Sequence, residues 1–112
     1  MLYQAGKGVT NPFGQPILDE NQKPVSFALM MFTALIANLK TDQALSVSQK
    51  RDIYKLKQRL AAAEMQVELS VDDVKIIKDR VAAALSIDLF GQIDEFLDNP
   101  IVLHEVPKTA AS

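Results

Sequence analysis

Few residues in this chain are of types that do chemistry. The stretch from Ile87 to Glu105 contains no Lys or Arg and carries the carboxylates Asp88, Asp94, Glu95 and Asp98. Asp94 and Asp98 are four apart, which places them on one face of a helix. Paired acids can bind magnesium or move protons, but the calcium-loop pattern of alternating acids around a glycine is absent. The reading favoured by composition is a solvated acidic face opposite Ile87, Phe90, Ile93 and Leu97, offered to a basic partner where it does more than dissolve. A basic counterpart lies at Lys50, Arg51, Lys55, Lys57 and Arg59, in which Arg51, Lys55 and Arg59 recur every four residues. Such a row could meet phosphates. Asp52 and the formal net charge of −2 argue against nucleic acid as a partner.

Catalytic and metal chemistry find little support. His104 is the only histidine and stands outside any cluster, so it lacks the partners a general base or metal ligand needs. There are no cysteines, which excludes disulfides, thiol catalysis and cysteine-based zinc sites. Gly6, Gly8 and Gly14 lack the spacing of either phosphate-binding glycine fingerprint. The expectation is no enzyme, no catalytic residue, no metal, no cofactor and no small-molecule substrate.

The elements that carry these residues are predominantly helical. At 48% hydrophobic and 23% charged, 112 residues suffice for one domain with a core. Residues 1–25 hold three of the four glycines and three of the five prolines and predict an extended arm, loose over its first ten residues. Within it, turns at Gly14 and at Asp19–Lys23 flank Pro16-Ile17-Leu18, which could pair with Pro24-Val25 as a small hairpin held to an edge by its prolines. Ser26 can cap a helix from Phe27 to Leu39, a 13-residue uncharged run. That is too short for a membrane span, which needs about 20 apolar residues. No signal-peptide pattern opens the chain, and a soluble, intracellular protein is expected.

The Phe27–Leu39 helix is apolar on nearly every side. Either the rest of the chain wraps it or another subunit does, and Phe27, Met30, Met31, Phe32, Leu35 and Ile36 are the candidate self-association residues. Ser46-Val47-Ser48-Gln49 matches the capping box of a helix running to about Met65. Ser70-Val71-Asp72-Asp73 opens the next, with Asp73 an imperfect substitute for Glu or Gln. Ile53, Leu56, Leu60 and Ala63 step by 3, 4 and 3, as do Val74, Ile77, Val81 and Ala84, so the two helices should form an antiparallel hairpin. After Leu85 the helix either continues or restarts with Ser86 or Asp88 as cap. Gly91 marks a weak point or a close contact, and Asn99-Pro100 ends the run. The division is an arm (1–25), a helical domain (26–100) and a tail (101–112), without internal repeats beyond the similar helix starts. The fold class is all-α, three to four helices with a short extended or hairpin-like N-terminal element.

This layout resembles small proteins encoded by tailed bacteriophages and prophages. The matching pieces are Gly14-Gln15-Pro16, Lys23-Pro24-Val25, Val67-Glu68-Leu69-Ser70 with Asp73, Ile77-Lys78 and Gly91-Gln92, within residues 14–97. Gln22 stands where the second turn would have glycine. The resemblance implies a phage setting, in host cytoplasm or virion, and no catalytic residues. The function expected first is a non-enzymatic assembly or structural accessory protein that self-associates. An inhibitor of a host defence or transcription protein comes next, and a weak nucleic-acid binder using Arg51, Lys55 and Arg59 last.

Overall fold

A computed structural model describes residues 1–101. The elements run β1 (Leu2–Tyr3), α1 (Phe27–Ile36), a 3₁₀ turn (Lys40–Ala44), α2 (Val47–Ala62), β2 (Val67–Glu68), α3 (Val71–Ala84) and α4 (Ile87–Asp98). The all-α expectation holds, with the strands as a minor element. His104, Glu105 and the rest of the expected tail beyond Ile101 lie outside the described residues.

The four α-helices of the described residues each start on a serine whose hydroxyl accepts a backbone N–H three residues on, which satisfies a donor the helix cannot. Ser46 and Gln49 close a reciprocal box, at 2.8 and 3.1 Å. So do Ser70 and Asp73, at 2.9 and 3.1 Å. The shorter Asp73 side chain therefore reaches after all, and the second box is complete. Ser86, not Asp88, caps α4. A Cβ placed on Gly91 would meet nothing within 4 Å, so this glycine marks no close contact.

The first ten residues are not a loose arm. Tyr3, Ala5 and Val9 are buried in the core. β1 pairs antiparallel with β2, Leu2 opposite Glu68 and Tyr3 opposite Val67. Ile101 bridges the other edge, donating to the Leu2 carbonyl at 2.7 Å. The link Gln66–Leu69 thus serves as a strand for the chain's opening residues.

Residues 8–26 contain a repeat that the sequence reading did not anticipate. Val9, Ile17 and Val25 are spaced by eight, and their backbones form a closed cycle. Val9 N–H donates to Val25 O (2.9 Å), Val25 N–H to Ile17 O (2.8 Å) and Ile17 N–H to Val9 O (3.2 Å). Two equivalent turns join the three extended pieces. Asn11 Oδ1 accepts the N–H groups of Phe13 and Gln15, and Asp19 Oδ1 those of Asn21 and Lys23. Each turn needs a left-handed residue, supplied by Gly14 (φ 82°) and Gln22 (φ 61°). The expected pairing of 16–18 with 24–25 is present as a Leu18–Pro24 bridge.

The core gathers on α1, which ends at Ile36 rather than Leu39. Its Phe27, Ala28, Met31, Ala34 and Leu35 are buried. Leu56 and Leu60 of α2, Ile77 and Val81 of α3, and Ile93 and Leu97 of α4 join them in one apolar cluster. α1 packs closely on both α2 and α3, and α4 packs on α3. The two seams of the predicted hairpin therefore meet through α1, and an open groove of about 660 Å³ separates the flanks of α2 and α3. Phe96 stacks on Phe27, with centroids 4.2 Å apart and planes 7° from parallel, and also lies against Tyr3.

Candidate interaction surfaces

Of the six residues expected to drive self-association, Phe27, Met31 and Leu35 are in the chain's own core. The chain wraps that side of α1 with its N-terminal segment, α2 and α3, so these three offer no surface. Met30 and Phe32 are half-buried, and Ile36 is 52% exposed. Leu29, 45% exposed, takes the place of the buried three. With Thr33 and Ile36 it forms an i, i+4, i+7 stripe on the outside of α1. The Thr33 hydroxyl donates to the Leu29 carbonyl at 2.8 Å, which turns its donor back into the helix. From Ser26 to Leu39 the chain has no charged residue.

The acidic candidates separate into two groups. Lys78 of α3 lies 2.6 Å from Asp98 and 3.3 Å from Asp94. Its ammonium is held above the ordinary lysine range, chiefly by the hydrogen bond to Asp98 and against its own partial desolvation. Asp94 and Asp98 are thus partnered within the chain. Asp88 accepts from the Gln92 amide at 2.8 Å, and Glu95 is exposed. Ile93 and Leu97 face the core as expected, but Ile87 is 91% exposed and belongs to no apolar face. At the first position of α4 it points away from the bundle.

The basic row is likewise divided. Arg59 pairs with Asp73 at 2.8 Å across the groove between α2 and α3. Burial pushes the Asp73 carboxyl up, but the Ser70 N–H and hydroxyl and the Arg59 guanidinium outweigh it and hold the group below 3.8. Lys55 lines the same groove beside Asp52 and Asp72. Of the predicted row, Arg51 alone among the described residues has neither an ion pair nor a place in this groove. Among the described residues, α3 supplies the acids that α2 meets.

Two polar centres escaped the sequence reading. Arg80 is 7% exposed and the one buried charged residue among those described. Its guanidinium donates to the carbonyls of Ala34 (3.2 Å), Leu35 (3.1 Å) and Ala37 (2.7 Å), and pairs with Asp42 of the 3₁₀ turn. These are the carbonyls that the end of α1 leaves free, at its negative pole. The Asp42 carboxyl is held below 3.8, first by its hydrogen bond from Arg80 and then by the Leu39 N–H. Arg80 falls three residues after Ile77, on the apolar seam, and a cation on that seam was the signal available.

The second centre is Gln92. Its amide receives the Thr10 N–H (2.9 Å) and donates to the Thr10 carbonyl (2.6 Å), as a neighbouring strand would. This fastens α4 to the repeat of residues 8–26.

Among the described residues no three His, Asp or Glu side chains converge as a metal site, and no helix is long and apolar enough to cross a membrane. Comparison of the chain with protein-family models, curated proteins and solved structures returned no match.

Proposed function

We propose that this is a non-enzymatic assembly or structural accessory protein, of a tailed bacteriophage as its sequence layout suggests, that works by associating with copies of itself. The observation that carries this reading is the uncharged outer face of α1, where Leu29 and Ile36 are 45% and 52% exposed. Burying two such side chains contributes about 1 kcal/mol or more each. An uncharged face meets its symmetry mate without like-charge repulsion, which suits a twofold contact between identical helices. The polar centres at Arg80 and Gln92 support a structural reading, since both spend their hydrogen bonds inside the chain.

Sedimentation velocity at micromolar concentrations tests this. The wild type should sediment as a dimer or larger, and Leu29→Asp/Ile36→Asp as a monomer with unchanged helical circular dichroism. A wild type that stays strictly monomeric across that range refutes it.

A further inference from the structure

Among the described residues a second surface is left uncovered, and its chemistry differs from that of α1. Helix α2 is the most exposed of the four, with only Leu56 and Leu60 buried among its 16 residues. It carries five cations and one acid in a chain whose formal net charge is −2. That acid, Asp52, faces the groove toward α3, where Arg59 and Lys55 are also found. At about 100° per residue, the side turned away from both α1 and α3 presents Val47, Lys50, Arg51, Tyr54, Lys57 and Ala61. Tyr54 is 55% exposed and Val47 68%, and Lys50 and Arg51 are exposed. Lys57 Nζ lies 4.6 Å from the Tyr54 ring centroid. Within α2 no carboxylate interrupts this face, and among the described residues the acid that feels Lys50 is Asp42, which is already paired with Arg80.

We infer that the outer face of α2, through Lys50, Arg51 and Lys57 around Tyr54, docks into the major groove of duplex DNA. Size, charge and the lack of a large apolar centre select this occupant. A helix with its side chains is about 10–12 Å across, which fits the roughly 12 Å B-DNA major groove. Phosphate contacts, which supply most non-specific affinity, need cations and no apolar centre. A stable protein interface has an apolar core inside a polar rim, and on this face Tyr54 is the only large apolar side chain. An anionic membrane would need a stripe of large apolar residues beneath the cations, and Val47 and Ala61 do not make one. The negative net charge that argues against nucleic acid describes the whole chain; the field near α2 is set by the cations that dominate it.

The test is fluorescence anisotropy of a labelled 20-base-pair DNA duplex titrated with the full chain at low salt. Binding should weaken steeply as salt rises. Lys50→Gln/Arg51→Gln/Lys57→Gln should lower affinity at least about tenfold and make the slope of log K against log salt shallower by nearly 3, at about 0.9 per lost phosphate contact. Lys23→Gln/Lys40→Gln/Lys75→Gln removes the same net charge elsewhere and should bind as the wild type does. Arg51→Gln alone, too mild to disturb an exposed helix position, should make the slope shallower by about 1. Absence of binding, equal losses in the two triple variants, or binding of polyglutamate as tight as that of DNA would overturn the inference. Equally tight binding to duplex RNA, whose major groove is too narrow for a helix, or to phosphatidylserine vesicles would also overturn it.

Discussion

The hydroxyl of Tyr3 donates to the carbonyl of Leu97 at 2.7 Å, joining the third residue of the chain to the last turn of α4. Tyr3 is 1% exposed, and burial pushes its phenol above the ordinary value of 10.0. Removing the hydroxyl leaves a buried carbonyl short of its donor. Tyr3→Phe should therefore cost about 1–2 kcal/mol in urea denaturation. Tyr3→Ala, which also empties the space against Phe96, should cost about 3–5 kcal/mol.

Arg80 gives a sharper contrast. Arg80→Met keeps the apolar stem but leaves the carbonyls of Ala34, Leu35 and Ala37 without a donor, and should cost about 3 kcal/mol. Arg80→Lys should recover only part of this, since an ammonium cannot span three carbonyls and a carboxylate as a guanidinium fork does. Asp42→Asn should destabilise less than either, because Asp42 is partly exposed and the carbonyls keep Arg80. Chemical denaturation of the three variants orders them.

Asp42 and Asp73 are both held below 3.8 in the folded protein. A carboxyl whose folded value is lowered binds its proton more readily when unfolded. Its contribution is complete above the unfolded value and disappears as pH falls through the folded one. The melting temperature should be flat from about pH 7 to 5 and fall below about pH 4. In Asp42→Asn/Asp73→Asn the melting temperature should be lower at neutral pH and its acid limb shallower. An unchanged acid limb would show that other groups govern acid unfolding.

The two turns of the N-terminal repeat predict opposite signs for reciprocal substitutions. Gln22 holds φ at 61° and Gly14 at 82°. A left-handed conformation costs a residue with a Cβ about 1 kcal/mol. Gln22→Gly should therefore stabilise by a few tenths of a kcal/mol after the entropy of glycine is counted, and Gly14→Ala should destabilise by about 1 kcal/mol. Gly91 lies inside α4 with open space around it, so Gly91→Ala should stabilise by about 0.5–1 kcal/mol. Thermal melts of the single variants check all three.

What the sequence determined by itself is local. Serines at 26, 46 and 70 begin helices because a cap is settled within three residues, by a hydroxyl and the nearest free N–H, whereas the choice of Ser86 over Asp88 or an unbroken helix came from the structure. Pro100 and the turn residues 11–15 and 19–23 act over similarly short distances, and the apolar steps in α2 and α3 identified the sides that are buried. Which buried sides meet depends on the whole chain. Tyr3 pairs with Val67, Arg80 with the end of α1, Gln92 with Thr10, and α1 lies between the seams of α2 and α3. Each contact joins residues dozens of positions apart and depends on which surfaces exclude water together, a condition that no short window of sequence contains. The candidate surfaces follow the same division. The charges of α2 were legible as a list, but which of them meet an acid of α3 was set by the packing. The box at Ser46 and Gln49 was legible from spacing alone, whereas the burial of residues 1–10 was not, because it depends on a strand formed more than sixty residues later.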